Sequence, residues 1–111
     1  MKKPVLLRKN EEVAVRSLKK ALSERFDLID LRLFGSKVWG ESTSESDIDV
    51  MIELVESNPE IESQIDDIIF EINLKNDSFI SAIIFSKKEI EEGPVTESPI
   101  YKIIEKEGVS I

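Results

Sequence analysis

The feature that most restricts how this chain can fold is the series Ile61, Ile65, Ile68, Ile69 and Ile72. These positions follow the i, i+4, i+7, i+8, i+11 spacing of one helical face, with acids on the opposite side. Asn58 and Pro59 stand in front of the series as cap and first-turn residue. A helix with one apolar stripe must bury that stripe against another element, and the chain offers a sheet for it. Leu28–Phe34 alternates, with Ile29, Leu31 and Leu33 on one side and Asp30 and Arg32 on the other. Residues 47–54 alternate again, Ile48, Val50 and Ile52 opposing Asp47, Asp49, Met51 and Glu53. Residues 78–86 are almost all apolar, the pattern expected of a strand at the centre of a sheet.

An earlier helix is expected from Asn10 as its N-cap. Glu11 and Glu12 fall in its first turn, and Ala14, Leu18, Ala21, Leu22 and Phe26 share one face. Short helices are expected at Lys87–Glu92, stopped by Gly93 and Pro94, and at Pro99–Glu107, stopped by Gly108. The order helix, strand, strand, helix, strand, helix implies an α/β (α+β) fold, a small mixed sheet flanked by helices. Residues 1–111 are expected to form a single domain.

Composition narrows the chemistry. The chain has no cysteine and no histidine. That removes thiolate zinc sites, disulfides and the commonest general base together. Catalysis would have to run on carboxylates, hydroxyls, amines, backbone groups or a hard cation. The longest uncharged apolar stretch is residues 79–85, far short of the roughly 20 residues that cross a bilayer. No basic segment followed by an apolar one opens the chain, so the cytoplasm is the expected compartment. The net charge of −8 is unevenly spread: residues 1–37 carry ten Lys/Arg against five Asp/Glu, and residues 38–111 carry five against eighteen. A chain this acidic is not expected to bind nucleic acid tightly, and its polarity suits the steering of a protein partner.

The informative segment joins the two alternating strands. It reads Gly35-Ser36-Lys37-Val38-Trp39-Gly40, then Ser46-Asp47-Ile48-Asp49-Val50. On a strand, Asp47 and Asp49 project to the same face, where two carboxylates repel unless a cation lies between them. Mg²⁺ (or Mn²⁺) suits such a pair, because it takes oxygen ligands from one or two carboxylates and completes its shell with water and phosphate. Gly35, ending a strand, permits positive φ and lets a phosphate approach the backbone. The N–H groups after it are donors at the start of a short helix, Ser36 adds a hydroxyl, and Lys37 offers a point charge. Neither half is specific alone, since Gly-Ser makes ordinary turns and acids often begin strands. Their order and spacing are what carry information.

That arrangement resembles the signature of the DNA polymerase beta-like nucleotidyltransferase superfamily, in its minimal (MNT-type) branch. The leading helix, the strand ending in Leu33-Phe34-Gly35-Ser36, the isoleucine-rich helix and the closing Tyr101-to-Gly108 segment extend the resemblance over essentially the whole chain. The resemblance implies that Gly35, Ser36, Lys37 and Gly40 meet ATP or another nucleoside triphosphate, and that Asp47 and Asp49 hold the metal and act in catalysis. It further implies a small helical HEPN-type partner in a toxin–antitoxin pair, with this chain as the antitoxin that transfers AMP. Active members carry a third carboxylate on a neighbouring strand, expected here around Ser81, and residues 78–85 contain no acid. A catalytically weak or inactive form that neutralises its partner by binding, or senses nucleotide, is the alternative.

Overall fold

The chain folds around one mixed sheet whose strands lie in the order β3-β2-β1-β4. The computed structural model describes residues 7–39 and 47–111. Along the chain run α1 (Lys9–Arg25), β1 (Leu28–Phe34), α2 (Ser36–Trp39) and β2 (Ile48–Leu54), then α3 (Pro59–Asn76) and β3 (Ile80–Ser86). After these come α4 (Lys87–Glu92), a 3-10 turn (Pro94–Glu97), α5 (Pro99–Glu107) and β4 (Val109–Ser110). β1 pairs with β2 and with β4 antiparallel, whereas α3 returns the chain so that β3 lies parallel to β2.

Local chemistry sets the boundaries. The Asn58 side chain accepts a hydrogen bond from the Ile61 N–H at 2.8 Å, with Pro59 as first helical residue, so α3 begins where expected. It ends at Asp77, which adopts the left-handed conformation at φ 51°. α1 starts slightly earlier than expected, with Arg8 rather than Asn10 at the N-cap. Asn10 lies inside the first turn, and its amide donates to the carbonyls of Asn76 and Asp77 at 2.9 and 3.1 Å. It therefore ties the start of α1 to the end of α3.

The two faces of the sheet carry different loads. On one, Leu31, Leu33, Ile48, Val50, Ile52 and Leu54 pack under Ala14, Val15, Leu18 and Leu22 of α1 and Ile65, Ile68 and Ile69 of α3. On the other, a smaller cluster of Met51, Phe85 and Ile104 is flanked by Phe34, Ile83 and Tyr101. The Tyr101 ring meets Phe85 edge-on at 5.9 Å. Covered on one face and half-covered on the other, the sheet has one end of its second face that the described residues leave open.

Two further expectations need correction. Ile29 is exposed, because the register between β1 and β2 is irregular between Leu28 and Asp30 and turns Leu28 to the core instead. Residues 78–86 were expected at the centre of the sheet, yet β3 is an edge strand. Its apolarity reflects partial cover on both faces, which does not depend on having a strand on each side. β4 went unforeseen because two residues are too few to show a period. Among the described residues no helix is long and apolar enough to cross a membrane.

Ile65 is fully buried at the α3–sheet contact, whereas Leu74 on the same helix is exposed. Ile65→Ala is expected to lower unfolding free energy by about 2–5 kcal/mol, and Leu74→Ala to change it by no more than about 0.5 kcal/mol. Urea denaturation of both variants checks the pair.

Candidate active site

At the open end of the second face the structure brings Gly35 and Ser81 beside Asp49. The last pair of the β1–β2 register is Phe34 with Asp49, so the turn after β1 is delivered directly onto the acids of β2. Gly35 follows at φ +79°, in the left-handed region. A Cβ built on it would collide with the Asp49 carboxylate. Glycine suits the backbone angle, and any side chain there would have to displace the Asp49 carboxylate. The Val38 N–H donates to the Gly35 carbonyl at 3.0 Å and closes the turn that opens α2. With four residues α2 has little macrodipole, so its value lies in where it points Ser36 and the backbone donors.

Asp49 is partly buried and Asp47 is exposed. The Asp49 carboxyl is held above its usual range, first by burial and then by the negative charge of Asp47. Two like charges sharing one partly desolvated face form an oxygen donor set of the kind a divalent cation neutralises, so these residues fit Mg²⁺ or Mn²⁺. In the β2–β3 register Asp49 pairs with Ser81, and strand-paired residues project to the same face. Ser81 is exposed there. Among the described residues no group of three or more His, Cys, Asp or Glu is placed to hold a metal. The row Phe34, Asp49, Ser81 therefore offers carboxylate and hydroxyl oxygens. Gly40 and residues 41–46, including Ser46, lie outside the described residues.

Lys37, the candidate point charge for phosphate, is paired with Glu11 of α1. Its side chain is buried, and its ammonium stands 3.1 Å from Oε2 of Glu11 and 3.4 Å from Oε1. Glu11 also accepts from the Arg8 N–H at 2.9 Å. Burial alone would raise the Glu11 carboxyl, but the Arg8 N–H and then Lys37 outweigh it and hold the carboxyl below its usual value. The pair fastens α2, and with it the glycine turn, to α1. Glu11 was read only as a first-turn acid. Its signal was nonetheless present, because position 11 is in phase with the buried stripe Ala14, Val15, Leu18 and Leu22. A charge in phase with a core stripe needs a partner.

Comparison with known proteins decides the family. The nucleotidyltransferase domain family matches residues 15–111. The chain belongs to that family. This nucleotidyltransferase domain is also 46% identical over 44 residues to a "putative protein adenylyltransferase" of Methanocaldococcus jannaschii. The match spans 40% of this chain and 44% of that protein, less than half of either. Among solved structures, a "putative nucleotidyltransferase" from Sulfolobus solfataricus shares the fold. Its TM-score is 0.50 at 17% identity, over 94% of this chain and 86% of that one.

Two expectations follow. Gly35→Ala is expected to cost about 1–3 kcal/mol, and less when Asp49→Ala removes the carboxylate it would strike, so a double-mutant cycle by urea denaturation should show coupling. Glu11→Gln removes one charged partner of the buried Lys37 and is expected to cost about 1.5–3 kcal/mol at neutral pH. Because folding lowers the Glu11 pKa, its stabilisation is present at neutral pH and is lost as pH falls through the folded-state pKa. The gap between wild type and Glu11→Gln should therefore narrow in acid, as measured by thermal unfolding across pH.

Proposed function

We propose that this nucleotidyltransferase domain binds ATP, or another nucleoside triphosphate, at Gly35 and Ser36 and transfers its nucleotidyl group to a hydroxyl of a partner protein. The observation that carries the reading is the apposition of the glycine turn and Asp49 at the Phe34–Asp49 end of the register. In this reading the backbone donors after Gly35 and the Ser36 hydroxyl hold phosphate oxygens. Asp47 and Asp49 hold Mg²⁺ or Mn²⁺, which when bound neutralises the triphosphate and polarises the phosphorus under attack. Lys37 acts at a distance, by keeping α2 docked on α1. The acceptor hydroxyl's oxygen forms a bond to the α-phosphorus as the bond to the bridging oxygen breaks, pyrophosphate leaves with that electron pair, and the hydroxyl proton is released to solvent.

The partner in this reading is a small helical HEPN-type protein in a cytoplasmic toxin–antitoxin pair. Family membership and the likeness to an adenylyltransferase support it, as does the charge split along the chain. A second reading, binding with weak turnover, is favoured by one feature, the pairing of Ser81 with Asp49. A serine cannot act as general base at neutral pH as a carboxylate can. Both readings require nucleotide binding, and they separate on turnover.

Calorimetry with a non-hydrolysable ATP analogue is expected to show binding only with Mg²⁺ or Mn²⁺, weakened at least tenfold in Asp47→Asn/Asp49→Asn. Equal affinity in both proteins would overturn the site. Transfer of labelled AMP to a co-expressed HEPN-type protein by wild type, Ser81→Ala and Ser81→Asp distinguishes the readings. Faster transfer by Ser81→Asp identifies a weakened enzyme, and robust transfer unaffected by either change removes Ser81 from the account.

A further inference from the structure

Phe70, Leu74 and Phe79 are the three most exposed large apolar side chains among the described residues, at 63%, 70% and 58%. They are not scattered. Together with Asn73, Asp77 and Ser78 they line one groove between α3 and the start of β3. The floor of that groove is fixed: Asn73 Oδ1 accepts from the Ile80 N–H at 2.9 Å and from the Ser78 hydroxyl at 3.0 Å, while its amide donates to the Ile80 carbonyl. A pre-ordered apolar groove loses little freedom on binding. Its rim is acidic. Asp66 and Asp67 stand one turn before Phe70 on α3, Asp77 closes the other end, and all three are exposed. Lys75 lies instead in the groove between α1 and α3. The groove also adjoins the active site, because the Ile48 N–H bonds to the Phe79 carbonyl at 2.8 Å, which sets Phe79 beside Asp47.

We infer that this groove docks the protein acceptor through an amphipathic helix that presents apolar anchors between lysines or arginines. Phe70 and Leu74, four residues apart, match anchors spaced i and i+4 on such a helix. The aspartate rim selects basic flanks and opposes both a second copy's equivalent face and an anionic lipid surface. Naming this partner as the acceptor rests on the proposed transfer to protein, whereas the contact rests on the groove alone.

The probe is a synthetic 18-residue helical peptide with leucines at i, i+3, i+4 and i+7 between lysines, compared with a scrambled peptide of equal composition by fluorescence anisotropy. Binding of the helical peptide is expected to weaken tenfold or more in Phe70→Ala/Leu74→Ala. It should weaken similarly in Asp66→Lys/Asp67→Lys at low salt, with the gap closing as salt rises. Ile103→Ala, an exposed apolar residue on α5, should leave it unchanged. Both groove variants change exposed positions, and circular dichroism verifies their fold. Magnesium–nucleotide binding should persist in Phe70→Ala/Leu74→Ala, and peptide binding should persist in Asp47→Asn/Asp49→Asn, so the groove and the nucleotide site fail independently. Equal binding of the scrambled peptide, or no loss in either groove variant, overturns the inference. So does wild-type dimerisation or anionic-vesicle binding that Phe70→Ala/Leu74→Ala abolishes.

Discussion

A missing side chain sets the geometry of the open face. Gly35 follows β1 where the strand is still paired with β2, and a side chain on it would have to displace the Asp49 carboxylate. That closeness lets one turn serve two purposes, offering backbone donors on one side and bordering a carboxylate on the other. Backbone angle and packing demand the same residue there, which is why the position reads so clearly in the sequence. The turn still needs an orientation, and the Glu11–Lys37 pair supplies it by tying α2 to α1. A buried ion pair is weak evidence for net stability, since apolar residues of similar volume often do as well. Its contribution here is positional, because it links a helix of the main core to the turn that borders the site.

Most of the fold was legible because its elements obey short-period rules. The isoleucine stripe placed α3, the alternation in 28–34 and 48–54 placed β1 and β2, and Pro and Gly marked the ends of the last helices. What escaped depends on three-dimensional neighbours. The irregular register that turns Ile29 outward arises between two strands and leaves no mark in either one. The edge position of β3 is a property of strand order, which apolar content does not encode. Strand parity read from the sequence puts Asp47 and Asp49 on one face, and the register sets Ser81 beside Asp49 there. The inward pairing of Lys37 with Glu11 was not foreseen, because a cation beside a phosphate-binding turn and a cation paired inward look identical in sequence. Only the phase of Glu11 with the buried stripe of α1 separates the two cases.

Electrostatics reinforces the division between the faces. The core under α1 and α3 is almost wholly apolar, with the Glu11–Lys37 pair near its border. The opposite face gathers Asp30, Arg32, Asp49 and Glu53 around a smaller apolar cluster. Glu53 is held above its usual range first by burial and then by the charge of Asp30, as Asp49 is by burial and Asp47. Negative charge on this face is only partly offset, Arg32 pairing with Asp30 at 2.6 Å, and it is kept off the face that holds the molecule together.

This division has an evolutionary consequence. The residues that fill the main core and those that line the open face are separate sets, alternating along the same strands. Selection for folding and selection for chemistry therefore act on different letters of the same short segments. Exchange of Asp49 or Ser81 leaves the packing of Val50 and Ile80 in place, because those side chains point to the other face. For the same reason, retention of the fold in a distant relative says little about whether it still turns over a substrate, and the open-face residues have to be read one by one.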